Sequence, residues 1–121
     1  MKLGSYRMTI ILASLVPAAA LGVNWMYLAK DPGPYMVMSD PDRELLHNTA
    51  HQALEQSPDG SSVDWHSPES DAHGEVTPLS TFDRDGMRCR KVRFDSHAKN
   101  LSNIAEHTLC KTAAGNWAFA D

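Results

Sequence analysis

The first 30 residues constrain this 121-residue chain most, because they join a short basic start to a long apolar run. Lys2 and Arg7 precede the run, and residues 8–29 contain no charged side chain. An apolar run of about 20 residues is long enough to cross a bilayer core of about 30 Å. A shorter apolar stretch after a basic start is typical of a cleaved export signal. Both interpretations send the rest of the chain out of the cytoplasm.

This run is consistent with a cleaved signal and with a retained anchor, and different residues favour each interpretation. Residues 17–20 (Pro-Ala-Ala-Ala) offer an Ala-x-Ala cleavage site, which would release the chain from Leu21 onward. The apolar run continues to Leu28, however, and has aromatic residues near both ends, where such rings prefer the headgroup level of a bilayer. These interfacial aromatic residues are Tyr6, Trp25 and Tyr27. We therefore expect residues 1–30 to be a retained transmembrane anchor (or uncleaved signal), with cleavage after Ala20 as the alternative.

The charges that flank the run set its orientation. Basic residues precede it and Asp31 follows it, so the positive-inside rule places the N-terminus in the cytoplasm and the C-terminal part in the periplasm of a bacterial inner membrane. Small residues recur at four-residue intervals within the run and form a stripe on which another helix can pack closely. They are Ser14, Ala18 and Gly22. The expected partners are therefore other membrane proteins and membrane lipid.

Charge limits the partners of the exported part. Residues 31–121 contain 8 Lys or Arg and 15 Asp or Glu, a formal charge of −7 with neutral histidines. This charge argues against nucleic acid as a partner and against a domain that lies flat on anionic lipid, because both need a basic surface. Pro and Gly residues within 31–39 indicate a linker, and residues 40–121 suffice for one small periplasmic domain.

A helix start follows the linker. Asp40 can cap a helix, Pro41 suits the first helical position, and acidic residues in the first turn complement the positive end of the helix dipole. The helix is expected to end near Gln56, before the Ser-Pro-Asp-Gly sequence at 57–60. Its narrow apolar stripe consists of Leu46, Ala50, Ala53 and Leu54.

From residue 60 onward the pattern indicates short strands separated by turns. We expect strands at 62–66, 75–82, 87–95, 106–112 and 116–119. Asp-Gly at 85–86 and Ala-Gly-Asn at 114–116 are suited to hairpin turns. The predicted fold class is α+β, with the N-terminal transmembrane helix followed by one helix packed on a small antiparallel sheet of four to five strands.

Two cysteines, Cys89 and Cys110, are present in the chain. In an oxidising compartment an even number of cysteines indicates a disulfide. A metal-binding or redox-active pair is the alternative, but the spacing fits neither a Cys-x-x-Cys nor a zinc pattern. We expect a disulfide, which would close a loop of about 20 residues and stabilise the domain by about 3 kcal/mol.

A series of short motifs resembles the C-terminal domain of the 17 kDa surface antigen family of bacterial envelope proteins. The motifs, in order, are Ala53-Leu54, Gly60, Val63-x-Trp65, Gly74-x-Val76-Thr77-Pro78, Thr81, Gly86, Cys89-Arg90, Cys110-Lys111 and Gly115-x-Trp117. The resemblance covers about residues 50–119. It implies an envelope protein with a small sheet domain and a disulfide between the two cysteines, and no catalytic activity.

Three departures from the family pattern bear on the anchor. The family has a second Cys-Arg pair where this chain has Cys110-Lys111, and a Gly-rich segment that often precedes the domain is missing. No lipobox cysteine lies near Ala20, so the family's usual lipid anchor is not expected. We expect the spanning helix to replace it.

Candidate sites for chemistry are few. His47 and His51 lie four residues apart on the predicted helix and are weak metal candidates, because a zinc site needs further ligands and a supporting second shell. The other four histidines are scattered along the sequence. No catalytic motif, haem attachment pattern or small-molecule substrate site stands out, so we expect no enzyme activity and no cofactor.

A local basic run interrupts the acidic domain. It consists of Arg84, Arg88, Arg90, Lys91 and Arg93. The run is either a docking patch for an acidic partner surface or a solvated strand face, whose cross-strand ion pairs would be with Asp64, Glu75 or Glu106.

Taken together, these features predict a non-catalytic accessory subunit in the inner membrane. Its periplasmic domain would brace or dock a larger membrane complex, such as a respiratory or photosynthetic one. One alternative is an exported envelope or surface protein released after Ala20. A second alternative is a periplasmic metal-binding module.

Overall fold

Five strands and one long helix make up most of the domain. In this computed structural model, residues 23–120 are described. A 3₁₀ turn (Trp25–Leu28) and a single-turn helix α1 (Pro34–Val37) precede the long helix α2 (Asp40–Gln56). The strands are β1 (Val63–His66), β2 (His73–Arg84), β3 (Met87–Ala98), β4 (Leu101–Lys111) and β5 (Trp117–Phe119).

Helix α2 ends where predicted but begins one residue earlier, with a different cap. Ser39 is extended, and its hydroxyl oxygen accepts a hydrogen bond from the backbone N–H of Asp42 at 3.2 Å. Asp40, the expected cap, is already the first helical residue, followed by Pro41 in the first turn. The predicted end at Gln56 is confirmed.

The sheet is an antiparallel meander in the order β1-β2-β3-β4-β5, which confirms the α+β prediction for this part of the chain. Asp85 (φ 51°) and Gly86 (φ 80°) form the predicted β2–β3 turn. Lys99 (φ 51°) and Asn100 (φ 67°) turn the chain between β3 and β4 in the same left-handed region, which two-residue hairpin turns require. This second turn makes β3 and β4 longer than the sequence predicts.

The two faces of the sheet have different surroundings. Side chains alternate between an inner face, which packs on α2, and an open face, which points to solvent. A bulge between Pro78 and Ser80 shifts the alternation in β2 by one residue, so that Val76 and Thr81 both lie on the inner face. On the same strand, a side chain at Gly74 would overlap the Asp95 carbonyl and the Trp65 indole, so glycine is required there.

The core lies between α2 and the inner face. Its buried side chains include Leu46, Ala50, Ala53, Leu54, Trp65, Val76, Val92, Phe94, Leu109 and Trp117. The apolar stripe predicted on the helix is thus confirmed. Complete burial of a Leu, Val or Phe side chain contributes about 1.5–3 kcal/mol, so this layer supplies most of the driving force for folding.

The segment before α2 also belongs to the domain. Tyr35 and Met38 are buried in the core, so part of the predicted linker, residues 31–39, packs on the domain. Trp25 stacks on His47 with ring centroids 4.2 Å apart, and Tyr27 stacks on Phe119 at 5.0 Å. The domain therefore covers part of both rings, and their role at a membrane surface stays a prediction.

None of the helices within residues 23–120 is long and apolar enough to cross a membrane. The predicted helix-packing residues Ser14, Ala18 and Gly22, and the aromatic Tyr6, lie outside the described residues.

Candidate functional site

Arg90, predicted as part of a docking patch, is instead buried on the inner face with 2% of its surface exposed. Its guanidinium donates five hydrogen bonds to groups at the end of α2 and on β2. The acceptors are the backbone oxygens of Ala53 (3.1 Å), Leu54 (2.9 Å) and Ser57 (2.7 Å), Oγ1 of Thr81 (2.9 Å) and Oδ1 of Asp59 (2.8 Å). Arg90 therefore cannot contact a docking partner.

The position of Arg90 suits a positive charge. The last carbonyl groups of a helix have no partner within the helix and carry the negative end of its dipole, which a cation stabilises. The hydrogen bonds from Arg90 and Thr81 hold the pKa of Asp59 below its usual value. The group fixes the end of α2 on the sheet, which is a structural role.

The two cysteines form the expected disulfide, between β3 and β4. Cys89 and Cys110 are directly opposite in the antiparallel pairing, with Cα atoms 4.0 Å apart. Both cysteines are buried. Among residues 23–120 there is no free cysteine, so this part of the chain offers no thiol for catalysis or metal binding.

The rest of the basic run is divided between two places. Lys91 and Arg93 lie on the open face and pair with Glu106 of β4, at 3.7 and 3.6 Å, as the alternative of cross-strand ion pairs predicts. Arg84 and Arg88 are exposed near the β2–β3 turn, where Arg84 lies over the Phe82 ring. A docking role for these four residues stays a prediction.

His47, one of the two weak metal candidates, is half-buried and has structural partners. The Tyr35 hydroxyl and Nε2 of His47 are 2.7 Å apart, and the imidazole stacks on Trp25. Burial, together with the nearby Arg43 charge, lowers the pKa of His47 to about 4. The ring is therefore neutral at physiological pH and shares a hydrogen bond with the Tyr35 hydroxyl. To bind a metal through Nε2, it would have to break this bond, while His51, one turn later, is exposed.

A cleft of about 290 Å³ lies beside these histidines. Its lining includes Trp25, Glu44, His51, Asn116 and Trp117. The indole N–H of Trp117, which lines the cleft, donates to Glu55, as does Lys111. These bonds hold the pKa of the Glu55 carboxyl below its usual value. Aromatic rings and the side-chain amides of Asn48 and Asn116 thus line the cleft.

The open face carries a cluster that sequence analysis missed. His66, His73 and His97 are consecutive partners across β1, β2 and β3, and so form one row. The rings of His73 and His97 stack with centroids 4.7 Å apart and planes 5° apart. The adjacent row on the same face, two residues along each strand, consists of Asp64, Glu75 and Asp95.

Hydrogen bonds orient two rings of this His–carboxylate cluster, defined here as these six residues. Nδ1 of His73 lies 2.8 Å from the carbonyl oxygen of Asp71, which can only accept, so Nδ1 carries the proton. Nε2 of His97 lies 2.9 Å from a carboxylate oxygen of Asp95. Within residues 23–120, no three or more His, Cys, Asp or Glu side chains are arranged so that together they could hold a metal ion.

The sequence does contain a signal for this cluster. Each of the three strands has a carboxylate and a histidine two residues apart, which places both on one face of a strand. The pairs are Asp64-x-His66, His73-x-Glu75 and Asp95-x-His97. What the sequence alone could not supply is the register that aligns the three pairs.

Comparison with known proteins identifies similar sequences. Residues 52–118 match the family described as 17 kDa outer membrane surface antigen. The 17 kDa surface antigen of Rickettsia prowazekii (strain Madrid E) is 42% identical over 79 residues, 64% of this chain and 50% of that protein. The 17 kDa surface antigen of Rickettsia bellii (strain RML369-C) is 33% identical over 81 residues, 66% of this chain and 51% of that protein. The chain thus spans about half the length of these curated relatives. No solved structure matches it.

Proposed function

This chain belongs to the 17 kDa outer membrane surface antigen family, and from that membership we propose that it is an exported, non-catalytic envelope protein. Its domain would act outside the cytoplasm by presenting binding surfaces. The curated relatives are named surface antigens, which is consistent with an envelope or surface location.

The disulfide is the observation that carries the proposal. Cys89 and Cys110 lie directly opposite on two central strands and close a loop with a sequence separation of 21. Such bonds form and persist in secreted and periplasmic proteins, whereas the cytoplasm keeps thiols reduced. A structural disulfide in a small domain therefore favours export.

Release after Ala20 accounts for the packing better than a retained anchor does. The expected transmembrane run extends to Ala29, but residues 24–29 turn against the domain, where Trp25 contacts His47 and Phe119. If residues 24–29 pack on the domain, an anchored chain keeps only residues 8–23 for the bilayer core, fewer than the roughly 20 that a spanning helix needs. A chain released at Leu21 keeps all of these contacts, and this favours the exported protein over the inner-membrane accessory subunit.

The ionisable groups on the inner face support a non-catalytic role. Arg90 is buried and donates to the helix end, and Glu55 accepts from Lys111 and Trp117. Both groups have hydrogen-bond partners within the domain and stabilise its packing. Surfaces that remain open to partners are the exposed basic residues near the β2–β3 turn and the open face of the sheet.

The test is to express the complete gene in a bacterium with two membranes, fractionate the cells and sequence the N-terminus of the recovered protein. We expect a mature chain that begins at Leu21 and is recovered outside the inner-membrane fraction. Both cysteines should resist alkylation until a reductant is added. An Ala18→Leu/Ala20→Leu variant, which removes the small residues of the cleavage site, should keep its leader and stay in the inner membrane.

Two results would contradict the proposal. An intact N-terminus in the inner-membrane fraction of the wild type would restore the anchored subunit. Freely alkylated cysteines in a cytoplasmic protein would exclude export.

A further inference from the structure

We propose that His73 and His97 form a two-histidine binding site for a divalent transition metal, Cu²⁺ above all, on the open face of the sheet. The two residues are directly opposite on β2 and β3, and their rings stack with centroids 4.7 Å apart. Two metal–nitrogen bonds of about 2 Å each place the ligating nitrogens at most about 4 Å apart, so the two exposed rings would rotate out of the stack to direct both lone pairs at one ion.

The hydrogen bonds of the two rings fix which nitrogen is available. Nδ1–H of His73 donates to the carbonyl of Asp71, which leaves the lone pair of Nε2 as the ligand. Nε2–H of His97 donates to Asp95, which leaves the lone pair of Nδ1. Metal-ligating histidines nearly always donate their other N–H to a carboxylate or backbone carbonyl, and both arrangements are present here before any metal binds.

The donor atoms select the class of metal. Glu75 and Asp95 lie on the same face, two residues from the two histidines, and make the surroundings negative, while water would supply the oxygen ligands beside the two imidazole nitrogens. A tetragonal set of nitrogen and oxygen ligands suits Cu²⁺, which also binds most tightly in the order of first-row divalent metals. Ca²⁺ and Mg²⁺ prefer oxygen alone.

Electrostatics also favours a cation at this place. Asp64, Glu75 and Asp95 are neighbours across the strands, and like charges in such positions repel. The nearest basic residues on this face, Lys91 and Arg93, pair with Glu106 instead. A divalent cation would reduce the repulsion within the row.

The site is open enough to exchange metal with solution. His66 and His73 are exposed, and the His97 side chain is 41% exposed. His66, opposite His73 with ring centroids 6.2 Å apart, is placed to assist but is not needed as a ligand. The inference stands apart from the proposed function, since metal binding by the purified protein does not depend on where the protein is located.

The test is a Cu²⁺ titration of the purified, disulfide-bonded protein without a histidine tag, by calorimetry and by electron paramagnetic resonance at pH 7.4. We expect one ion per chain, a spectrum with two imidazole nitrogens coupled to the metal, weaker binding of Zn²⁺ and none of Ca²⁺. His73→Ala and His97→Ala should each weaken binding at least about tenfold, and Asp95→Asn about tenfold.

His51→Ala, which removes an exposed histidine from α2, is the matched control and should bind as the wild type does. Circular dichroism of every variant would verify that the fold is retained. Wild-type affinity in the His73→Ala/His97→Ala double variant would overturn the proposal. So would loss of the site in His51→Ala, or Ca²⁺ binding as tight as that of Cu²⁺, which would indicate a carboxylate site.

Discussion

The two faces of the sheet differ in how their charged side chains are paired. On the inner face, the one buried guanidinium among the described residues, Arg90, has an acceptor for each of its N–H groups and lies at the negative end of a helix. On the open face, three carboxylates are direct neighbours, with three histidines in the next row. The hydrogen bonds of Arg90 stabilise the fold. The row of like charges on the open face reduces stability, and binding of a cation there would offset the repulsion.

The largest expected effect comes from the inner face. Arg90→Met keeps the bulk of the side chain but removes all five hydrogen bonds, which leaves the last carbonyls of α2 without donors. We expect a loss of about 3–5 kcal/mol in the free energy of unfolding, measured in urea. Arg90→Lys should recover only part of it, because an ammonium cannot reproduce the planar fork.

Arg88→Met is the control for this comparison, since Arg88 is exposed and lies two residues before Arg90 on β3. It should change stability by no more than about 0.5 kcal/mol. Equal losses for the variants at positions 88 and 90 would show that burial of the guanidinium does not matter.

The disulfide comes next in size. Cys89→Ala/Cys110→Ala removes a link with a sequence separation of 21 and should cost about 3 kcal/mol in the same urea assay. The Arg90 hydrogen bonds remain in this variant, so the chain should still fold with native circular dichroism. An unchanged urea midpoint would contradict this prediction, because it would show that the disulfide adds nothing to the stability that β3–β4 pairing already gives.

A smaller effect depends on pH. The pKa of His47 is about 4 in the folded protein, below the usual 6.5, because the ring is half-buried. The unfolded chain therefore binds a proton between these values that the folded chain does not, and stability should fall as pH is lowered from about 6.5 to about 4. His47→Gln, which can still accept from Tyr35, should reduce this slope. An identical slope in both proteins would assign it to other groups.

The smallest effects contrast two acidic residues of β2. Glu75 is opposite Asp64 and Asp95, so Glu75→Gln should raise the free energy of unfolding by about 0.2–1 kcal/mol. Asp83 is opposite Arg88, so Asp83→Asn should lower it by a similar amount. Changes of the same sign in both variants would contradict the description of the open-face row as repulsive.

Local patterns in the sequence predicted the elements of the domain well. The Pro41 start and the apolar spacing located α2, and Asp-Gly at 85–86 located the first hairpin. The Lys99-Asn100 turn was missed because lysine seldom adopts positive φ, so the chain offers no glycine signal there. Short strands with alternating polarity followed from the period of two.

Properties that depend on register could not be predicted. Whether Arg90 lies among exposed or buried neighbours depends on its pairing with Thr81 beyond the bulge, and a one-residue shift would move it to the open face. The alignment of His66, His73 and His97 depends on the register of β1 with β2 and on that of β2 with β3 before the bulge. Trp25 packs on His47. Local patterns assign Trp25 to a membrane run and His47 to a helix surface, so they could not predict this contact.

The central claim is that the inner face maintains the fold while the open face is free to bind. Urea unfolding of the His73→Ala/His97→Ala double variant, with and without Cu²⁺, tests it most directly. We expect the variant to match the wild type within about 0.5 kcal/mol in the absence of metal, and Cu²⁺ to stabilise only the wild type. A variant that is markedly less stable without metal, or that Cu²⁺ still stabilises, would contradict the claim.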